Sequence, residues 1–264
     1  MNYTIEFVIL CEQGKRRKIN QDNFWHNGQF LDSENNGLTL PIINSTNTLK
    51  LPVFAVFDGM GGEKYGEVAA YLAAKALNQF YAKDQKSNFT YFLSAACERM
   101  NTAICSFALD NKTERMGTTT AILAFGKKKI YVCNIGDSKI FLYGAKKLSQ
   151  ITHDHVVYGT SNKKPPLAQH LGVQKSEFII EPYLAVGKYN NGDKYLICTD
   201  GLTDMVSNSD IDAIISEQKP VAEIANDLME KALSSGGTDN ITIILCEIKQ
   251  EKFSLKNIFG RKLR

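Results

Sequence analysis

The stretch VFAVFDGMGG, residues 53–62, decides the fold. It begins as a short apolar run rich in Val and Phe, the pattern of a buried strand, and ends on Asp58 followed by glycines at 59, 61 and 62. A carboxylate at a strand terminus, beside residues that lack a Cβ, lets the backbone bend sharply and brings an anionic oxygen close to whatever binds there. Taken alone, the same residues also describe a strand that closes in an acidic turn.

Working outward, the signature recurs. Ile135-Gly136-Asp137-Ser138, Cys198-Thr199-Asp200-Gly201 and Gly237-Thr238-Asp239-Asn240 each put an Asp at a strand end beside glycine or a small polar residue, and Asp22 follows the first strand. Carboxylates that converge repel one another unless a cation lies among them. An all-oxygen donor set suits Mg²⁺ or Mn²⁺.

The flanking segments set the class. Tyr3 to Leu10 alternates as a strand, and residues 32–48, rich in Asn, Ser and Thr, read as an exposed loop or loose hairpin. Beyond the glycines, Val68, Leu72, Ala76 and Phe80 form one helical stripe, and Phe89, Phe92, Leu93, Ala96, Met100, Ala103, Ile104 and Phe107 form a second. From Gly117 the period falls to two, predicting strands over 118–125, 130–135 and 139–143. A strand over 194–199, helices from Ser209 and over 221–233, and a last strand over 241–248 complete the chain. Segregated blocks of strands and helices predict an α+β sandwich with helices outside antiparallel sheets, in one domain without internal repeat.

Composition narrows the function classes. A net charge of +3 is too small to argue for nucleic acid, and much of it sits in the tail from Gln250 to Arg264, which reads as a short basic appendage to a 1–249 domain. The N-terminal apolar run has no basic region ahead of it and no small-residue cleavage site, and no run approaches the roughly 20 residues that span a bilayer. The six cysteines never form C-x-x-C and lie mostly in apolar strings, as reduced core residues do. The expectation is a cytoplasmic protein without a transmembrane segment.

Seven segments in order carry a family resemblance: Arg17-Lys18-Ile19-Asn20-Gln21-Asp22, VFAVFDGMGG (53–62), GTTTAILAF (117–125), NIGDSKIFLY (134–143), THDH (152–155), CTDGLTDMV (198–206) and GGTDNITIIL (236–245). The chain resembles the metal-dependent Ser/Thr protein phosphatases of type 2C, in their bacterial style, over nearly its whole length. The resemblance implies a four-layer sandwich of two antiparallel β-sheets flanked by helix pairs, with two Mn²⁺ or Mg²⁺ ions at one end of the sheets. It implies that Asp58 bridges both ions, that Gly59 offers its carbonyl, and that Asp200 and Asp239 ligate one ion. Asp22 would stand behind them, holding water on the metals, and Arg17 would bind the substrate phosphate. Asp137 with Asp200 matches the third metal site of bacterial members, with Asp204 holding its waters. Water activated between the ions would then attack phosphorus in line, with no covalent phosphoenzyme.

Three departures qualify the match. Gln21 stands where many members have Glu, which removes a negative charge and predicts weaker metal binding. Met60 replaces a proposed proton-donating His of some eukaryotic members. The segment between His155 and Leu171 is short, next to the expected cleft.

His153 and His155 read as turn residues ahead of a second metal site, and Lys163-Lys164 as a solvated loop. The expected partners are phosphorylated Ser/Thr proteins, a cognate kinase among them, met by a monomer. Two alternatives stand beside this reading: a pseudophosphatase that binds a phosphoprotein without turnover, and a phosphomonoesterase acting on small esters.

Overall fold

The computed structural model describes residues 2–60, 65–83, 88–113, 116–158 and 165–251. In chain order these form β1 (Tyr3–Glu12), β2 (Asp22–His26), β3 (Ile42–Asn47), β4 (Val53–Met60), α1 (Gly66–Lys83), α2 (Phe89–Asp110), β5 (Gly117–Thr118), β6 (Thr120–Phe125), β7 (Lys129–Ile135) and β8 (Lys139–Gly144). There follow β9 (Lys147–Gln150), β10 (Tyr183–Lys188), β11 (Lys194–Cys198), α3 (Asp200–Thr203), α4 (Asn208–Ile215), α5 (Val221–Ser234) and β12 (Ile241–Gln250). One sheet runs β3-β1-β12-β11-β8-β9 and the other β10-β7-β6-β4-β2, with β5 paired to the end of β4. Every pairing is antiparallel.

The side-chain period of a strand explains the layering. Along β4, Val53, Ala55 and Phe57 face α1 and α2, whereas Phe54 and Val56 face the other sheet. The strand is therefore apolar throughout, because both of its faces are covered. β12 divides in the same way: Ile244, Cys246 and Ile248 join the layer between the sheets, and Ile241, Ile243 and Leu245 pack on α4 and α5. Three apolar layers thus separate four layers of secondary structure.

The helices follow the same logic with one shift. The buried face of α1 is Ala69, Ala70, Ala73, Ala74 and Leu77, one position around from the expected stripe of Val68, Leu72, Ala76 and Phe80, which are only partly buried. Small alanines allow the helix to lie close against the sheet, so the larger side chains fill its flanks.

Residues 42–47, expected in an exposed loop or loose hairpin, pair with β1 as an edge strand. Their alternation is weak because an edge strand is half exposed, as Ile43 at 60% shows. β9 and β10 also escaped the pattern, each lying at the open edge of its sheet. β11 stops at Cys198, and Thr199 stands at the N-cap position of α3, so Asp200 opens a helix where a strand end was expected. β12 continues through Gln250, whose N–H donates to Asn191 Oδ1 (2.6 Å), and the Glu251 N–H donates to Asn2 O (3.1 Å). A boundary after residue 249 therefore cuts through the last strand. Gly61, Gly62, Lys163, Lys164 and the tail from Lys252 lie outside the described residues. Among the described residues no helix is long and apolar enough to cross a membrane.

Candidate metal centre

β4, the β7–β8 turn, the β11–α3 junction and the turn before β12 all deliver an aspartate to one cleft of about 400 Å³. Asp58, Asp137 and Asp200 each bring a carboxylate oxygen within 4.8 Å of the others, and Asp239 lines the same cleft. These residues lie far apart in the chain, so the convergence is made by the sheets alone. Burial first, and then the charges of Asp200, Asp22, Asp137 and Asp239, hold the Asp58 carboxyl well above the usual carboxylate range. Such crowding costs free energy unless protons or a cation share the site, and oxygen donors alone suit a hard divalent ion. The residues present fit that group.

Local chemistry explains how each carboxylate is held. Asp22 pairs across the sheet with Asp58 and is buried behind it, outside the lining of the cleft. Its Oδ2 accepts hydrogen bonds from Thr199 Oγ1 and Thr242 Oγ1, both at 2.7 Å. Burial raises Asp22, the two hydroxyls pull it down, and Asp200 and Asp239 add to the rise, which leaves it at about 7.

Asp137 follows Gly136, whose φ of +97° belongs to glycine, and where a Cβ would lie 2.6 Å from Thr119 Cγ2. The turn is braced from outside. His155 N–H donates to Gly136 O (2.9 Å), Gly136 N–H donates to His155 Nδ1 (3.2 Å), and Asn134 Nδ2 donates to His153 O (2.8 Å). Lys139 Nζ donates to Asp137 O (3.0 Å) and to Asp154 Oδ2 (2.7 Å). His155 therefore braces this turn through its ring, and His153 through its backbone.

Arg17 reaches the cleft from the loop between β1 and β2, and its Nη2 donates to Asp239 Oδ2 at 2.7 Å. Partial burial works against the guanidinium charge, but the bond to Asp239 and the fields of Asp239, Asp58 and Asp200 outweigh it and raise its pKa. Asn240 fastens that loop: its Oδ1 accepts from Gln21 N (2.9 Å), and its Nδ2 donates to Gln13 O (2.7 Å) and Ile19 O (3.0 Å). Gly59 lines the cleft, and its N–H donates to Gln21 O (3.1 Å). Asp204 is exposed at the end of α3, outside the lining of the cleft. Met60, Pro165, Pro166 and Leu167 supply an apolar wall.

Sequence reasoning missed Thr119, Thr199, Asn240, Thr242 and Glu67. Their signal is polarity within or beside an apolar strand or a helix start, which carries meaning only once burial is known. Cys11 and Cys198 lie near the site, but burial, the largest influence on each, pushes both thiols up to about 12, so they stay protonated.

Residues 43–235 match the family model described as Protein phosphatase 2C. The Mycobacterium tuberculosis serine/threonine protein phosphatase PstP is 34% identical over 208 residues, which cover 74% of this chain and 40% of PstP. The protein phosphatase PhpP of Streptococcus pneumoniae is 28% identical over 268 residues, covering 94% of this chain and 99% of PhpP. The crystal structure of the catalytic domain of PstP in complex with two manganese ions superposes with a TM-score of 0.76 at 27% identity, covering 94% of this chain and 100% of that one.

Proposed function

The chain belongs to the protein phosphatase 2C family, and from that membership we propose that it removes phosphate from phosphoserine and phosphothreonine in proteins, using divalent metal ions. One observation carries the reading: carboxylates from three separate elements, Asp58, Asp137 and Asp200, converge within 4.8 Å in a cleft that Arg17 also lines.

Asp58, Gly59, Asp200 and Asp239 would hold two Mn²⁺ or Mg²⁺ ions, and Asp137 with Asp200 a third. The ions supply positive charge for the phosphoryl oxygens and lower the pKa of coordinated water. Asp22, locked by two threonine hydroxyls, would stand behind the ions and hold water on them. Arg17 presents a planar fork of donors to the phosphate and offsets the charge that gathers on its oxygens. Met60 has no proton to give, so the leaving oxygen is protonated by another group.

The substrates would be phosphoproteins, a cognate kinase among them, met by a monomer in the cytoplasm. The apolar wall of Met60, Pro165, Pro166 and Leu167 would take the side chains beside the phosphorylated residue. The phosphatase domain would include β12 to its end at Gln250. The complete acidic set, with Arg17 in place, favours turnover over phosphoprotein binding alone.

The test is Mn²⁺-dependent hydrolysis of a phosphothreonine peptide by the native chain, Asp58→Asn and Asp239→Asn. The expected result is activity only with metal, and near loss of it in both variants. A native chain inactive with every divalent metal and phosphopeptide would overturn the enzyme reading; undiminished variants would overturn the site.

A further inference from the structure

A carboxamide can point either of its ends into a cleft, and for Gln21 a neighbour decides which. Gln21 Nε2 lies 3.2 Å from Oε2 of Glu67, in the first turn of α1. A carboxylate has acceptors only, so the end of the amide that faces Glu67 is the NH₂ group. Gln21 also lines the cleft, together with Asp58, Asp137, Asp200 and Asp239. The close approach depends on glycine: a Cβ on Gly66 would meet Gln21 Nε2 at 2.6 Å and Cδ at 2.9 Å. Beside a cation the two ends differ in sign. An amide oxygen attracts the ion or its water, and an NH₂ group repels it.

We propose that Glu67 is a positioning residue that holds the Gln21 carboxamide with its oxygen toward the cation cleft. This rests on reading that cleft as a metal centre. It also revises the expectation drawn from residue 21 alone. A neutral side chain there still offers one acceptor, and the negative charge on this flank stands one side chain further out, at Glu67.

The test is calorimetric titration of the full chain with Mn²⁺ alone, at 0.1 and 0.5 M NaCl, for the native protein, Glu67→Lys, and Glu67→Lys combined with Gln21→Glu. Lysine at 67 has donors only and would turn the amide round, so the Mn²⁺ dissociation constant should rise by about tenfold or more. A carboxylate at 21 has no NH₂ end to present, so the double variant should return to within about threefold of native. The gap should persist at the higher salt, because a mere charge effect through solvent is screened there. Unchanged binding in Glu67→Lys, a gap that closes with salt, or a double variant no better than the single would each overturn the proposal.

If Glu67→Lys does not fold, Glu67→Ala and Gln21→Leu replace it. Their effects on Mn²⁺ binding should be non-additive if the two residues act as one unit, and additivity would overturn the proposal. No phosphopeptide enters these titrations, so a chain without phosphatase activity would leave a positive result standing. A native chain that binds no Mn²⁺ would overturn this inference together with the metal reading.

Discussion

Arg17 and Asp239 meet at the mouth of the cleft, Nη2 to Oδ2 at 2.7 Å, although 222 positions separate them in the chain. The contact places the guanidinium among the carboxylates and leaves its side chain 45% exposed, open to an incoming anion. The loop that carries Arg17 is fastened to the turn that carries Asp239 through Asn240. Substrate-side and metal-side groups therefore share one scaffold.

Replacing Arg17 by Lys keeps the charge but loses the planar fork. On a phosphothreonine peptide, kcat/KM should fall by roughly tenfold for Arg17→Lys and further for Arg17→Ala, while Mn²⁺ affinity measured by calorimetry changes little. Equal kinetics for the native chain and Arg17→Ala would remove Arg17 from the phosphate site.

Asn240→Ala deletes three hydrogen bonds that join Gln13, Ile19 and Gln21 to the β12 turn. At about 0.5–1.5 kcal/mol each, the loss in urea unfolding should total about 1.5–4.5 kcal/mol. KM for the phosphopeptide should rise as well, because the loop bearing Arg17 is no longer aligned. A variant as stable as the native chain would mean that the loop is held by other contacts.

Gly59 has no room for a side chain. A Cβ there would lie 2.1 Å from Gly66 O and 2.5 Å from Gln21 O, both backbone atoms that cannot swing aside. Gly59→Ala should cost about 1–3 kcal/mol or more in chemical unfolding and weaken Mn²⁺ binding, since Asp58 is its neighbour in the chain. Native metal affinity with reduced stability would separate the fold's need for this glycine from the site's.

His26 supplies a pH dependence far from the cleft. Its ring stacks on Phe54 at 4.2 Å, its Nδ1 lies 3.0 Å from Val53 O, and burial lowers its pKa from 6.5 to about 4. The unfolded chain takes up the proton first, so this contribution to stability is present above about 6.5 and is lost as pH falls toward 4. The stability gap between the native chain and His26→Phe should shift against the native chain by on the order of 2–3 kcal/mol between pH 7 and 4. A gap that does not move with pH would show that folding leaves the His26 pKa unchanged.

Much of this was legible in the chain. The strands with two covered faces announced themselves as apolar runs, as at Val53 to Phe57, and Ser207, whose side chain caps α4 by accepting from Asp210 N, stands two residues before the expected helix start at Ser209. The edge strands β3, β9 and β10 were not legible, because a half-exposed strand has no strict pattern to keep. The recurrent Asp beside glycine marked the candidate ligands, whereas Thr199 and Thr242 looked like ordinary strand residues until both hydroxyls were found on Asp22.

By itself the sequence determined the class of fold, the alternation of layers and the identity of the acidic strand ends, since periodicity and glycine placement are local properties of the chain. Only the tertiary structure decided that Asp58, Asp137 and Asp200 share one cleft, that Asp22 stands behind it, and that Gln21 has a carboxylate at its back. Those relations come from strand order and register between segments far apart in sequence, and no local pattern encodes which ends will meet.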